Sequence, residues 1–127
     1  MKIGQRKTEQ REIIIKVIKE SPGPVTVNEI HEKCAEEGAA MGIATVYRTI
    51  KLLLNNELIA QVILPDGKAR YEMAKLSHHH HFQCNECDST YDIDIPCSLL
   101  HDLEVDDHLV ENHEITLSGK CKDCRSD

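Results

Sequence analysis

No run of apolar residues in this 127-residue sequence is long enough to cross a membrane. Residues 1–10 lack the apolar stretch of a secretory signal peptide, so a cytoplasmic protein with no membrane partner is expected. The chain also lacks the length for more than one compact domain or two small ones. Two small domains would have thin cores and would need a structural metal or a partner subunit. A reducing compartment disfavours disulfides, so the six cysteines, mostly paired, read as metal ligands first. An excess of positive charge is missing too, since the net charge of −7 is unsuited to nucleic acid. That deficit is uneven. Residues 1–76 carry 12 Lys+Arg against 10 Asp+Glu, a balance of +2, whereas residues 77–127 carry 3 against 12, a balance of −9. The asymmetry suggests two domains, 1–76 and 77–127, with separate tasks. The first can approach phosphate; the second repels it and attracts cations.

The first half reads as three helices and a hairpin. Thr8 is placed to cap a helix with Ile14, Val17 and Ile18 on its apolar face, stopped by Ser21-Pro22-Gly23-Pro24. Thr26 and Glu29 form a capping box for a second helix, with Val27, Ile30 and Cys34 on one face and an end near Gly38. Cys34 has no partner cysteine nearby and reads as a small buried hydrophobe. A third helix after Gly42 places Ile43, Val46, Ile50, Leu53 and Leu54 on one face and Thr45, Arg48 and Lys51 on the other, with Ala44 beside them and Tyr47 at the edge. Such a hydroxyl-and-cation front suits a DNA major groove; taken alone, the helix is better described as a solvated amphipathic one. The strands expected over 59–64 and 69–74, joined by Pro65-Asp66-Gly67-Lys68, tip the balance. Three helices and a hairpin over 8–74 follow the winged-helix order, with Lys68 and Arg70 placed to sit on DNA phosphate.

The second half carries ligand chemistry. Cys84-Asn85-Glu86-Cys87 and Cys121-Lys122-Asp123-Cys124 are two C-x-x-C pairs, which together can close a tetrahedral zinc site. A nucleophilic role is disfavoured because no activating base or helix start adjoins them. Just upstream lies His78-His79-His80-His81. On a strand, His78 and His80 would face one way and His79 and His81 the other, so one run can feed two metal sites. Imidazole with carboxylate suits zinc, iron, nickel or manganese, and Glu72, Asp92 and Asp94 are the candidate carboxylates. His113 precedes a strand expected at Ile115-Thr116-Leu117 that leads into the second cysteine pair.

These motifs resemble the ferric uptake regulator family of metal-responsive repressors. The likeness spans essentially the whole chain. It rests on Gly42-Ile43-Ala44-Thr45-Val46-Tyr47-Arg48, on the stretch from His78 to Cys87, on Asn112-His113 and on Gly119-Lys120-Cys121-Lys122-Asp123-Cys124. The resemblance implies an α+β homodimer: a winged helix on a palindromic site in double-stranded DNA, then a small α/β dimerisation and metal-binding domain. It assigns Cys84, Cys87, Cys121 and Cys124 to a structural zinc. Glu72, His79, His81 and Asp92 match a regulatory site for zinc, iron, manganese or nickel at the hinge. His78, His80 and His113 match a further site, with His101 placed as its remaining ligand. Four departures stand out: the stretch from Asp92 to His113 is shorter than is common, so the acidic ligand that the family carries on the helix there has no match; Pro24 takes the place of a regulatory histidine; Asp88 stands where glycine is usual; and Asp92 replaces the glutamate common in iron sensors, an aspartate that the family's peroxide sensors share, so control of metal-homeostasis or of peroxide-response genes is implied. Two other readings are a zinc hydrolase, which would need an open coordination position and a general base, and a zinc-ribbon interaction module without sensing.

Overall fold

The structure, a computed structural model, describes residues 3–74, 79–95 and 103–125. The chain forms two compact units, Met1–Leu76 and Ser77–Asp127.

The first unit contains α1 (Ile3–Glu20), α2 (Val27–Glu36), α3 (Ile43–Asn55) and the antiparallel pair β1 (Ile59–Ile63) and β2 (Ala69–Met73). Thr8 is not a cap, because α1 already runs through it from Ile3. Gln5, Arg6 and Lys7 are all favourable helix formers, so nothing in that stretch obliges the helix to start later. α2 begins as its sequence specifies. Glu29 N donates to Thr26 Oγ1 at 3.1 Å, and Thr26 N donates to Glu29 Oε1 at 3.0 Å. Ile14, Ile30, Cys34 and Val46, each 0% exposed, centre a core that also takes in Val17, Ile50, Leu53, Ile59 and Tyr71. Ile43 departs from the expected core face and stands exposed in the first turn of α3. Val25 bridges to Tyr71 through two backbone hydrogen bonds, extending the hairpin by one short pairing beside the buried Pro24.

The hairpin tip corrects one expectation. Gly67 takes φ +80°, and its N–H closes the turn on Leu64 O at 2.8 Å. Asp66 reaches across it: Arg70 Nη1 and Nη2 donate to its two carboxylate oxygens, each at 2.8 Å. Arg70 is only 1% exposed, so it braces the hairpin from inside and does not project toward phosphate. A bidentate partner four residues away outcompeted solvent for the guanidinium.

In the second unit, β3 (His80–Cys84) is the central strand of a sheet ordered β4-β3-β7, with β4 (Thr90–Ile93) antiparallel and β7 (Thr116–Gly119) parallel to it. β5 (Glu104–Val105) and β6 (His108–Leu109) form a separate small hairpin. Among the described residues of this unit, the buried non-polar side chains are Cys84 and Cys121. His78 and His101 lie outside the described residues.

Candidate metal centres and nucleic-acid interface

The cysteine cluster is assembled by the sheet. Cys84 ends β3 opposite Gly119, which ends β7, and Asn85 N donates to Gly119 O at 2.7 Å. Both C-x-x-C segments therefore leave neighbouring strand ends side by side. Each then folds into a tight turn. Asp88 N donates to Cys84 O at 3.2 Å, while Cys124 N and Arg125 N both donate to Cys121 O at 3.0 Å. The four sulfurs lie within 4.8 Å of one another, with Cys87 and Cys121 at 3.8 Å. Cys84 Sγ accepts from the N–H groups of Glu86, Cys87 and Cys121 at 3.4, 3.5 and 3.4 Å. These donors, the Cys87 N–H foremost, bring its pKa down to about 6. Burial opposes ionisation of Cys121, but the Tyr91 hydroxyl and the N–H groups of Cys124 and Asp123 outweigh it, leaving its pKa below the usual thiol value. Cys124, pressed against the sulfurs of Cys121, Cys87 and Cys84, is held well above it. Four sulfurs this close cannot all ionise unless a cation shares their charge. The donor set, its spacing and its backbone donors fit a structural zinc ion.

A second cluster gathers on β3 and β4. His81 pairs with Asp92 in register, and His81 Nε2 lies 3.5 Å from Asp92 Oδ1. The His79 ring meets the His81 ring edge-on at 4.9 Å. His79, His81 and Asp92 each offer a ligand atom within 4.8 Å of the others. His80 turns to the opposite face, as strand alternation expects, and is 1% exposed. Its Nδ1 accepts the Ile115 N–H at 3.2 Å, and its ring lies 5.2 Å from that of His113. Among the described residues these two imidazoles do not by themselves make a metal site. Asp94 follows β4 and is exposed.

In the first unit, α3 presents Tyr47, 57% exposed, together with Arg48 and Lys51, while Thr45 is half-buried and accepts from Arg48 Nη2 at 3.2 Å. Lys68 stands exposed at the hairpin tip, its N–H held by Asp66. Glu72 is buried near the end of β2. Spacing and motif reasoning did not point to Asp66, Tyr91 or Ile115. For Tyr91 the available signal was its place one residue from Asp92, which on a strand means the opposite face.

A winged-helix unit joined to a unit built on metal-ligand clusters defines a class: DNA-binding proteins that carry metal centres. A profile of the ferric uptake regulator family matches residues 2–118, and the chain belongs to that family. Its members are metal- or peroxide-responsive transcriptional repressors. The chain is 31% identical to the ferric uptake regulation protein of Campylobacter upsaliensis, over 95% of this chain and 81% of that one. It is 29% identical to the zinc uptake regulation protein of Mycobacterium tuberculosis, over 97% of each. Among solved structures, a zinc-bound manganese uptake regulator superposes with a TM-score of 0.78 at 25% identity, covering 93% of this chain and 97% of the other.

Proposed function

We propose that this chain is a cytoplasmic, homodimeric repressor that binds a palindromic operator in double-stranded DNA when a divalent metal occupies a regulatory site. The observation that carries the reading is the convergence of His79, His81 and Asp92 on two paired strands, apart from the cysteine cluster. The cysteines hold structural zinc and keep the second unit folded. The two imidazoles and the carboxylate hold the regulatory ion, with Glu72 from the end of the wing hairpin as the further ligand that the family resemblance assigns. A divalent cation supplies the charge that lets carboxylate and imidazole share one point. Zinc, iron, manganese and nickel all suit this donor set. Glu72 precedes the residue 76/77 boundary and the others follow it, so a set of this composition ties ligand capture to domain orientation. The DNA-competent state is favoured only by as much as the metal prefers it.

Contact with DNA falls to α3. Tyr47, Arg48, Thr45 and Lys51 read base edges or adjoining phosphate in the major groove, and Lys68 holds the backbone beside them. The chain acts by binding; no residue is assigned to catalysis. The test is operator affinity with and without each metal. His79→Ala is expected to keep cysteine-bound zinc and the dimer yet lose metal-stimulated binding, and His113→Ala to lose less. A His79→Ala protein that answers metal like the parent would overturn the regulatory assignment. A parent whose binding ignores every metal would leave a zinc-ribbon module.

A further inference from the structure

We infer that the β5–β6 hairpin of one protomer docks on the cationic cleft beside Cys121 of its partner, so that the homodimer exchanges two such hairpins. This rests on the homodimeric reading above and adds to it an acidic arm and a receptor for that arm.

β5 and β6 turn through Asp106 and Asp107, both in left-handed backbone at φ +51° and +67°, the two-residue geometry that suits a tight hairpin. Among the described elements the pair joins no other strand. A lone two-stranded hairpin is marginal in water and needs packing to persist. Both of its faces offer apolar side chains for that packing. Val105 pairs with His108 on one face and Glu104 with Leu109 on the other, and Val105 and Leu109 are 47% and 60% exposed. Leu103 adds a third exposed apolar side chain at the base. Around them stand Glu104, Asp106, Asp107 and Glu111, with no Lys or Arg from 103 to 111. The arm is apolar and acidic at once.

The receptor has the opposite charge. The basic residues of 77–127 are Lys120, Lys122 and Arg125, and all three line one cleft of about 360 Å3 with apolar walls from Phe82, Tyr91 and Ile93. Lys120 Nζ lies 3.3 Å from Glu86 Oε1, an exposed pair that can change partners at little cost. In a unit whose balance is −9, this is the place where an acidic segment is attracted and not repelled. Strand order decides whose hairpin arrives. β7 is an edge of the β4-β3-β7 sheet; the chain comes from the hairpin into its Thr116 end and leaves its Gly119 end for Lys120 and Cys121. The hairpin of the same protomer therefore joins the strand at the end away from the cleft. Two β7 edges that meet about a two-fold axis perpendicular to them run antiparallel. Each hairpin is then carried to the Gly119 end of the partner's strand, beside its cations.

The experiment uses the full zinc-loaded chain, with dimerisation measured by sedimentation. One variant reverses the arm: Glu104→Lys with Asp106→Asn and Asp107→Asn, since asparagine keeps the left-handed turn. Another reverses the cleft: Lys120→Glu with Lys122→Glu. A parent that stays monomeric would overturn the homodimeric reading itself, and the docking with it. Each variant alone is expected to dimerise about 10-fold or more weakly than the parent, because like charges then meet at both junctions. An equimolar mixture is expected to recover the parent's affinity as heterodimers, in which reversed arm meets reversed cleft and native arm meets native cleft. A mixture no tighter than its components overturns the inference. It does so even if one chain carrying both sets of changes recovers, because the hairpin would then sit on its own protomer's cleft. Unchanged dimerisation of either variant overturns it too. Should a variant fail to fold or to hold zinc, the unmodified chain decides. Chains labelled with 14N and 15N are mixed and joined by a zero-length carbodiimide linker. A link between residues 103–111 of one isotope and Lys120 or Lys122 of the other supports the inference; links within one isotope only, or none, overturn it.

Discussion

Asp88 sits in left-handed backbone at φ +62°, immediately after the second cysteine of its pair. The family resemblance implies glycine there, and the geometry accounts for such a preference, because a Cβ in this region costs roughly 1–2 kcal/mol for most residues and less for aspartate. Asp88→Val should therefore lose about 1–2 kcal/mol of stability in urea denaturation of the zinc-loaded chain, whereas Asp88→Gly should stay within about 1 kcal/mol of the parent. Equal midpoints for the two variants would remove the strain argument. Arg70 teaches a different lesson. Residue type and position near a wing suggested a phosphate contact, but a cation four residues from an aspartate across a tight turn can also fold back on it. Sequence could not decide between the two, because the choice depends on which side of β2 faces the core. Asp66→Ala should cost about 3 kcal/mol, the low end for stranding a buried guanidinium, since Asp66 is itself a quarter exposed. Thermal unfolding would show it, and a melting point equal to that of Lys68→Ala would argue against the brace.

Elements were legible where a short local rule governs them. The capping box fixed the start of α2, and the apolar spacing of α3 placed Val46, Ile50 and Leu53 inward. Thr26→Ala should cost about 1 kcal/mol of folding stability. Elements were less legible where the outcome depends on distant packing. The start of α1, the exposure of Ile43 and the Val25–Tyr71 bridge have no local signature. The candidate sites divide in the same way. Spacing exposed the cysteine pairs and the alternating histidines, but not the Ile115 N–H that meets His80, which depends on how distant strands come together. For α3, Arg48→Ala and Tyr47→Ala should abolish operator discrimination while leaving the fold intact, because both side chains are exposed. Lys68→Ala should weaken all DNA alike and reduce the salt slope by about one. Mobility shifts across a salt series, with operator and scrambled DNA, distinguish the two behaviours.

For the molecule as a whole, the two units are stabilised differently. The first has an apolar core of ordinary composition; the described part of the second buries two cysteines instead. Chelating zinc, or replacing Cys84 or Cys121 by serine, should unfold residues 77–127 and leave residues 1–76 helical. A single cooperative loss of all structure in circular dichroism, with no surviving helical transition, would contradict that division. The order of the ligands along the chain carries this further. Two come from Cys84 and Cys87 and two from Cys121 and Cys124, and the parallel partner of β3 is β7. While the chain is being synthesised, β3 can pair with β4 early but must wait for its parallel partner until residues 116–119 emerge, and the last thiolate arrives with Cys124. The winged helix can fold on the ribosome long before that. Without zinc, the chain would therefore hold a finished DNA reader beside a second half that stays open.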